Sequence, residues 1–262
     1  MSSSATPGSM PEIPSTEPAL SEGQRLINVF IAPSKTFTDL KRKMSWTNWF
    51  FPWLAAAIVT WIFVGVVAQK VGFRQVGENA MRMNPKMQER MQERMEQASP
   101  EQRQQMAKGT AFVTAVQLCV RPGFILVFYL IAAAVLMGTF NFGMGSEISF
   151  GTSLAIVAYA QLPRILKLLL AAVSLFAGAD PESFLFDNPV ASNLSFAVDM
   201  SSHPVLYAAA SSFDIFAIWS VVLLGIGFSS VSKVKRSTAI GVVFGWYALV
   251  SLIGVGVVAI FA

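Results

Sequence analysis

The chain has 262 residues, of which 54% are hydrophobic and 13% charged, with a formal net charge of +4. Soluble domains carry about 25% charged residues, so this balance excludes an ordinary water-soluble globule. A pI near 9.3 suits anionic lipid headgroups, and in a chain this apolar it does not read as nucleic-acid binding.

Residues 1–22 are rich in Ser, Pro and Thr with no apolar period, which predicts a disordered tail. Residues 1–47 contain no early apolar stretch of the signal-peptide kind, so the first span is expected to direct insertion itself. From Gln24 onward, Leu26, Ile27, Phe30 and Ile31 lead to a break at Pro33. Phe37, Leu40 and Met44 then recur at helical spacing opposite Lys35, Lys41, Arg42 and Lys43. Such a stripe predicts an amphipathic interfacial segment over 23–47. A cap packed against a bundle is the alternative.

Five apolar blocks follow, at 49–68, 111–138, 149–176, 213–231 and 239–262. A helix needs roughly 20 apolar residues to cross a hydrocarbon core of about 30 Å. The blocks are continuously apolar rather than alternating, which selects helices over barrel strands. The predicted fold is therefore all-α: a polytopic transmembrane helical bundle of about five spans over 48–262, with an extramembrane helical insertion at 69–110. The second and third blocks are the longest, and each contains a proline beside a cation, at Arg121-Pro122 and Pro163-Arg164.

The insertion holds a short repeat, MQER at Met87–Arg90 and again at Met91–Arg94, so that Met87, Met91 and Met95 form one stripe on a helix-forming background. Ser99, Pro100 and Gln102 have the pattern of a second helix start leading into the next span. Thioether sulfurs can bind copper, but with no His or Cys nearby a packing face is the better reading. Thr139–Ile148 reads as a short glycine-rich turn, and Gly178–Ser212 as a longer acidic connection without Lys or Arg. The last connection is basic, with Lys233, Lys235 and Arg236. Cytoplasmic loops collect Lys and Arg, so the N-terminal flank and the last connection are expected in the cytoplasm and the acidic connection outside. Segment 69–110, with eight Lys or Arg and five Glu, conflicts with this arrangement because five spans place it outside.

Chemistry-bearing patterns are nearly lacking. His203 is the one histidine, Cys119 the one cysteine, and no HExxH, GxSxG, P-loop or GxGxxG pattern occurs. No catalytic residue, cofactor or metal site is predicted, and the chain does not read as an enzyme. The sharpest feature is a polar intramembrane set: Arg121, Gln161, Arg164, Lys167 and Asp214. A cation at mid-depth costs roughly 2.5–3.5 kcal/mol on insertion scales. These cations could line a cleft for an anionic lipid headgroup or another anion. Alternatively, Arg121 or Arg164 pairs with Asp214, or the side chains snorkel to the interface. In the last block Gly241 and Gly245 form a GxxxG pattern suited to helix packing.

Three groups of residues carry a family resemblance: Pro33-x-x-x-Phe37-x-x-Leu40, Tyr159-x-x-Leu162-Pro163, and Asp214-Ile-Phe216-Ala-Ile-Trp219 followed by Gly225-Ile-Gly227. In order and spacing they resemble the Yip domain family of Ypt/Rab-GTPase-interacting membrane proteins, in its bacterial branch. The resemblance implies five spans, a cytoplasmic N-terminus and association with the bilayer and other membrane proteins, or with further copies of the chain. It implies the inner membrane if the source is bacterial, and ER or Golgi with a role in vesicle transport and small-GTPase binding if eukaryotic. The resulting expectation is a non-enzymatic scaffold or membrane-organising protein. A small transporter, channel or lipid-handling protein using the intramembrane cations is the alternative.

Overall fold

A computed structural model describes residues 19–42, 44–81, 85–200 and 202–261, and every regular element in them is helical. Most of the predicted tail, residues 1–18, lies outside the described residues. The chain enters as a helical hairpin. Helix α1 (Glu22–Ile31) opens on a capping box, in which Ser21 Oγ accepts from the Gln24 N–H and Gln24 Oε1 accepts from the Ser21 N–H. Helical structure thus reaches back into the segment read as tail, because Ser21 and Glu22 cap and start a helix. A single residue, Ala32, separates α1 from α2 (Pro33–Arg42), whose proline sits in the first turn where its missing N–H is not needed. Thr36, Phe37, Asp39 and Leu40 are buried, while Lys35, Lys41 and Arg42 face outward. The hairpin packs against the bundle and leaves Ile27 and Ile31 exposed.

Helix α3 (Thr47–Lys70) is the first span and ends at Gly72, whose φ of +83° lets its N–H turn back to the Val67 carbonyl. Segment 69–110 then forms α4 (Phe73–Met81), α5 (Pro85–Gln97) and the first turns of α6 (Pro100–Met144). The sequence suggested two helices here; α4 is the addition. It is held by contact rather than propensity: a Cβ on Gly77 would lie 2.6 Å from Thr110 and Thr114 of α6. Ser99 and Gln102 form the capping box read from the sequence. Of the methionine stripe, Met91 is half-buried and Met95 exposed, and the Met87 side chain lies outside the described residues.

Helix α6 runs on for 45 residues, about twice the length a bilayer core requires. Pro122 interrupts its N–H ladder, and the indoles of Trp53 and Trp61 on α3 donate to the carbonyls of Pro122 and Cys119. The helix continues six residues past the predicted end at 138, so the turn expected over 139–148 shrinks to 145–149. There Asn141 bonds both the N–H and the carbonyl of Ile148.

Helix α7 (Phe150–Ala160) is the centre of the bundle, with every residue from Thr152 to Ala160 buried. Helix α8 (Pro163–Phe176) continues the same span after a break. Beyond it the chain makes a single 3-10 turn (Leu194–Ala197), then α9 (Pro204–Ser211) and α10 (Ile215–Val231), which meet at 44°. The acidic connection is therefore partly helical, and the predicted fourth span is preceded by α9. Helix α11 (Arg236–Phe261) closes the chain. Among the described residues, four units are long and apolar enough to cross a membrane, or five when α9 and α10 count as one span.

Cross-links define the two ends of the bundle. At one end Ser34 accepts from Arg236 at 2.9 Å, and Met44 lies over Gly151. At the other, Asn79 of α4 donates to the carbonyls of Pro181 and Phe184 at 2.9 and 2.8 Å. Segment 69–110 and the acidic connection thus share an end, opposite the hairpin and the basic last connection.

Candidate functional site

Two helix breaks meet in the second half of the bundle. The first separates α7 from α8, because Pro163 cannot donate and crowds the preceding turn. Short i→i+3 bonds, Leu162 N–H to the Tyr159 carbonyl and Arg164 N–H to the Gln161 carbonyl, carry the backbone through it. The second lies between α9 and α10, where Asp214 is extended. Its Oδ1 accepts from the N–H groups of Phe216 and Ala217 at 3.0 and 3.1 Å, the ordinary geometry of an N-cap.

The other oxygen, Oδ2, joins the two breaks. It accepts from Lys167 Nζ at 2.8 Å and from the Ser192 hydroxyl, in a pair whose side chains are 16% and 8% exposed. The Ile215 N–H bonds the Ser192 carbonyl, so the acidic connection folds down onto the break. Asn188, Asn193, Ser195 and the Tyr207 hydroxyl extend the network. Non-helical backbone inside a membrane is tolerated where protein covers it, and this network supplies the cover.

The five polar residues singled out in the sequence therefore separate. Lys167, not either arginine, pairs with Asp214. Arg121 instead pairs with Asp187 of the acidic connection, its guanidinium 4.8 Å from the centre of the Phe186 ring. Gln161 is buried with its Oε1 unbonded. Arg164 is exposed at the first turn of α8. Gly241 and Gly245 are both exposed, and a Cβ on either would meet nothing within 4 Å.

A second ionic cluster, at the hairpin end, escaped the sequence. Arg25 donates from Nε to Asp39 at 2.8 Å and from Nη1 to Glu22 and Asn48, each at 2.9 Å. Glu22 also accepts from the Tyr159 hydroxyl at 2.9 Å, which ties the hairpin to α7. Burial disfavours the Arg25 charge, but the Asp39 hydrogen bond and the charges of Glu22 and Asp39 outweigh it and raise the guanidinium pKa. The available signal was Arg25 and Asp39, charges of opposite sign on the apolar-patterned sides of two short helices.

Apolar helices of span length around a covered polar interior define a polytopic α-helical membrane protein. The Yip1 domain pattern matches residues 27–258, nearly the whole chain, and the chain belongs to the Yip1 domain family. No curated protein and no solved structure matches it. The residues that carried the resemblance have a structural meaning here. Phe37 of α2 enters between α7 and α10, where a Cβ on Gly227 would lie 2.4 Å from Ile156 and 3.2 Å from Phe37. Gly225 serves α11 in the same way, its Cβ position being 2.6 Å from the Ile240 backbone. Tyr159 reaches the Arg25 cluster through Glu22, and Asp214 holds the second break.

Proposed function

We propose that this Yip1-domain protein is a non-enzymatic membrane scaffold that gathers other membrane proteins, or copies of itself, through lipid-facing helix surfaces. The observation that supports this reading is α11. Of its described residues only Ala239 and Val243 are buried, and the Gly241–Gly245 face is open. In lipid, association depends on close backbone approach, which small residues allow. A trafficking-like role, as in eukaryotic relatives, is the finer form of this proposal.

In this reading the hairpin over 23–47 caps the transmembrane domain 48–262 at the cytoplasmic face, beside anionic lipids, and segment 69–110 is an insertion on the far side. The shared end of Lys35, Lys41, Arg42, Lys233, Lys235 and Arg236 favours that orientation. A photo-crosslinking residue at Gly245 tests the scaffold. Adducts to protein are expected in native membranes, and Gly241→Leu should remove them. Adducts to lipid alone would sink the proposal.

A further inference from the structure

The hairpin α1–α2 lies along the flank of the bundle rather than over its end. Its first residues are tied to the start of α3, where Arg25 donates to Asn48 and the Thr47 hydroxyl donates to Glu22. Trp46 and Trp49 both pack on Phe50 at that start, and tryptophan marks the level of the lipid headgroups. From there α1 descends. Phe30, near its far end, meets Trp219 of α10 edge-on, with ring centres 5.7 Å apart. Twelve residues of α10, 220–231, separate Trp219 from the basic last connection, about 18 Å of helix. Phe37 of α2 meets α10 closer to that connection, against Gly227. Helix α10 has 17 residues, barely enough for a hydrocarbon core of about 30 Å, so its flank is at acyl-chain depth.

The outward face of α1 changes character in the same direction. Gln24 is exposed near the tied end, whereas Ile27 and Ile31, one turn apart, are 63% and 75% exposed toward the deep end. Two isoleucines held open in this way are penalised by water and accepted by acyl chains. The exposed cations Lys41, Lys233, Lys235 and Arg236 lie at the end where the hairpin enters, with Glu147 the exposed acid there among the described residues. Apolar side chains at depth beneath a cationic rim match an anionic leaflet.

We infer that the hairpin is a wedge in one leaflet of an anionic membrane: Ile27 and Ile31 lie among its acyl chains, and this one-sided insertion draws the protein to curved bilayers. A helix inserted on one side spreads the headgroups of that leaflet alone, which is most favourable where curvature has already opened them. In the orientation proposed above the leaflet is the cytoplasmic one, but the wedge rests on the contacts of the hairpin and not on that orientation. The Gly241–Gly245 face takes no part in it.

The full chain carrying Cys119→Ala, reconstituted in vesicles of phosphatidylcholine and phosphatidylglycerol, tests the depth. A fluorophore on Ile31→Cys should be quenched by phospholipids brominated in their acyl chains and shielded from aqueous iodide, whereas one on Lys41→Cys should be quenched by iodide. Iodide quenching of the Ile31→Cys label as strong as that of the Lys41→Cys label overturns the wedge, since the face is then bare for a protein partner. Narrow tubes drawn from giant vesicles of the same lipids read the curvature preference. The wild type should concentrate in the tube relative to the flat vesicle, and the double variant Ile27→Ser, Ile31→Ser should lose that concentration. Even distribution of the wild type, or undiminished concentration of the double variant, overturns the attraction to curvature. If the double variant does not fold, the bromolipid quenching and the distribution of the wild type decide. Equal concentration in tubes of phosphatidylcholine alone overturns the anionic leaflet as the partner.

Discussion

Lys167 and Asp214 are 47 positions apart in the chain, yet each is the other's counter-charge at 2.8 Å. Removing one member of such a pair strands the other charge in a poorly hydrated site, which costs about 3–5 kcal/mol. Lys167→Met and Asp214→Asn should each lower stability by that order, read from detergent-unfolding midpoints. The double variant should lose less than the sum of the two, because neither charge is then left alone. Strict additivity would show that the two side chains do not act as a pair. Glycine carries the opposite kind of information at this scale. Gly225 and Gly227 are places where a neighbouring helix occupies the space of a side chain, and overpacking of that kind costs about 1–3 kcal/mol.

At the scale of elements, the hairpin α1–α2 shows how a short helix is held. Ten residues are too few for a helix to persist alone in water. The hairpin is kept by Phe37 and Leu40 in the core and by Arg25, bonded to Asp39, Glu22 and Asn48. Arg25→Leu leaves Asp39 buried without its partner and is expected to undock the hairpin. Limited trypsin digestion should then cut faster at Lys35 and Lys41, whose backbone is helical in the docked hairpin. An unchanged digestion pattern would show that apolar packing alone holds the hairpin. The spans behave differently. Their boundaries were legible to within a few residues wherever composition changes abruptly, as at Lys70 after α3. They were missed where a helix continues through polar residues, as α6 does through Thr139 and Asn141.

For the whole molecule, the conflict over segment 69–110 now has a structural answer in part. Asn79 binds the backbone of the acidic connection, so the two segments share one end of the bundle whatever its orientation. In a Cys119→Ala background, Arg90→Cys and Glu182→Cys should react with an impermeant thiol reagent from one side, and Lys233→Cys from the other. If the positive-inside assignment is right, Lys233→Cys reacts only from the cytoplasm. Labelling of Arg90→Cys and Lys233→Cys from the same side would refute the topology.

Length and continuity of apolar runs are local properties, because each stretch meets the bilayer by itself. From them the sequence determined an all-helical membrane protein with several apolar helices of span length, its helix-capping signals at Ser99 and, with the motif residues, its family. It also marked Arg121, Gln161, Arg164, Lys167 and Asp214 as unusual. Which of these charges are neutralised is a property of packing, and only the tertiary structure decided it. Lys167 met Asp214, Arg121 met Asp187, and Arg164 was left facing outward at the helix break. The reason is geometric: two proline- and cap-bounded breaks had to come side by side before any side chain had a partner.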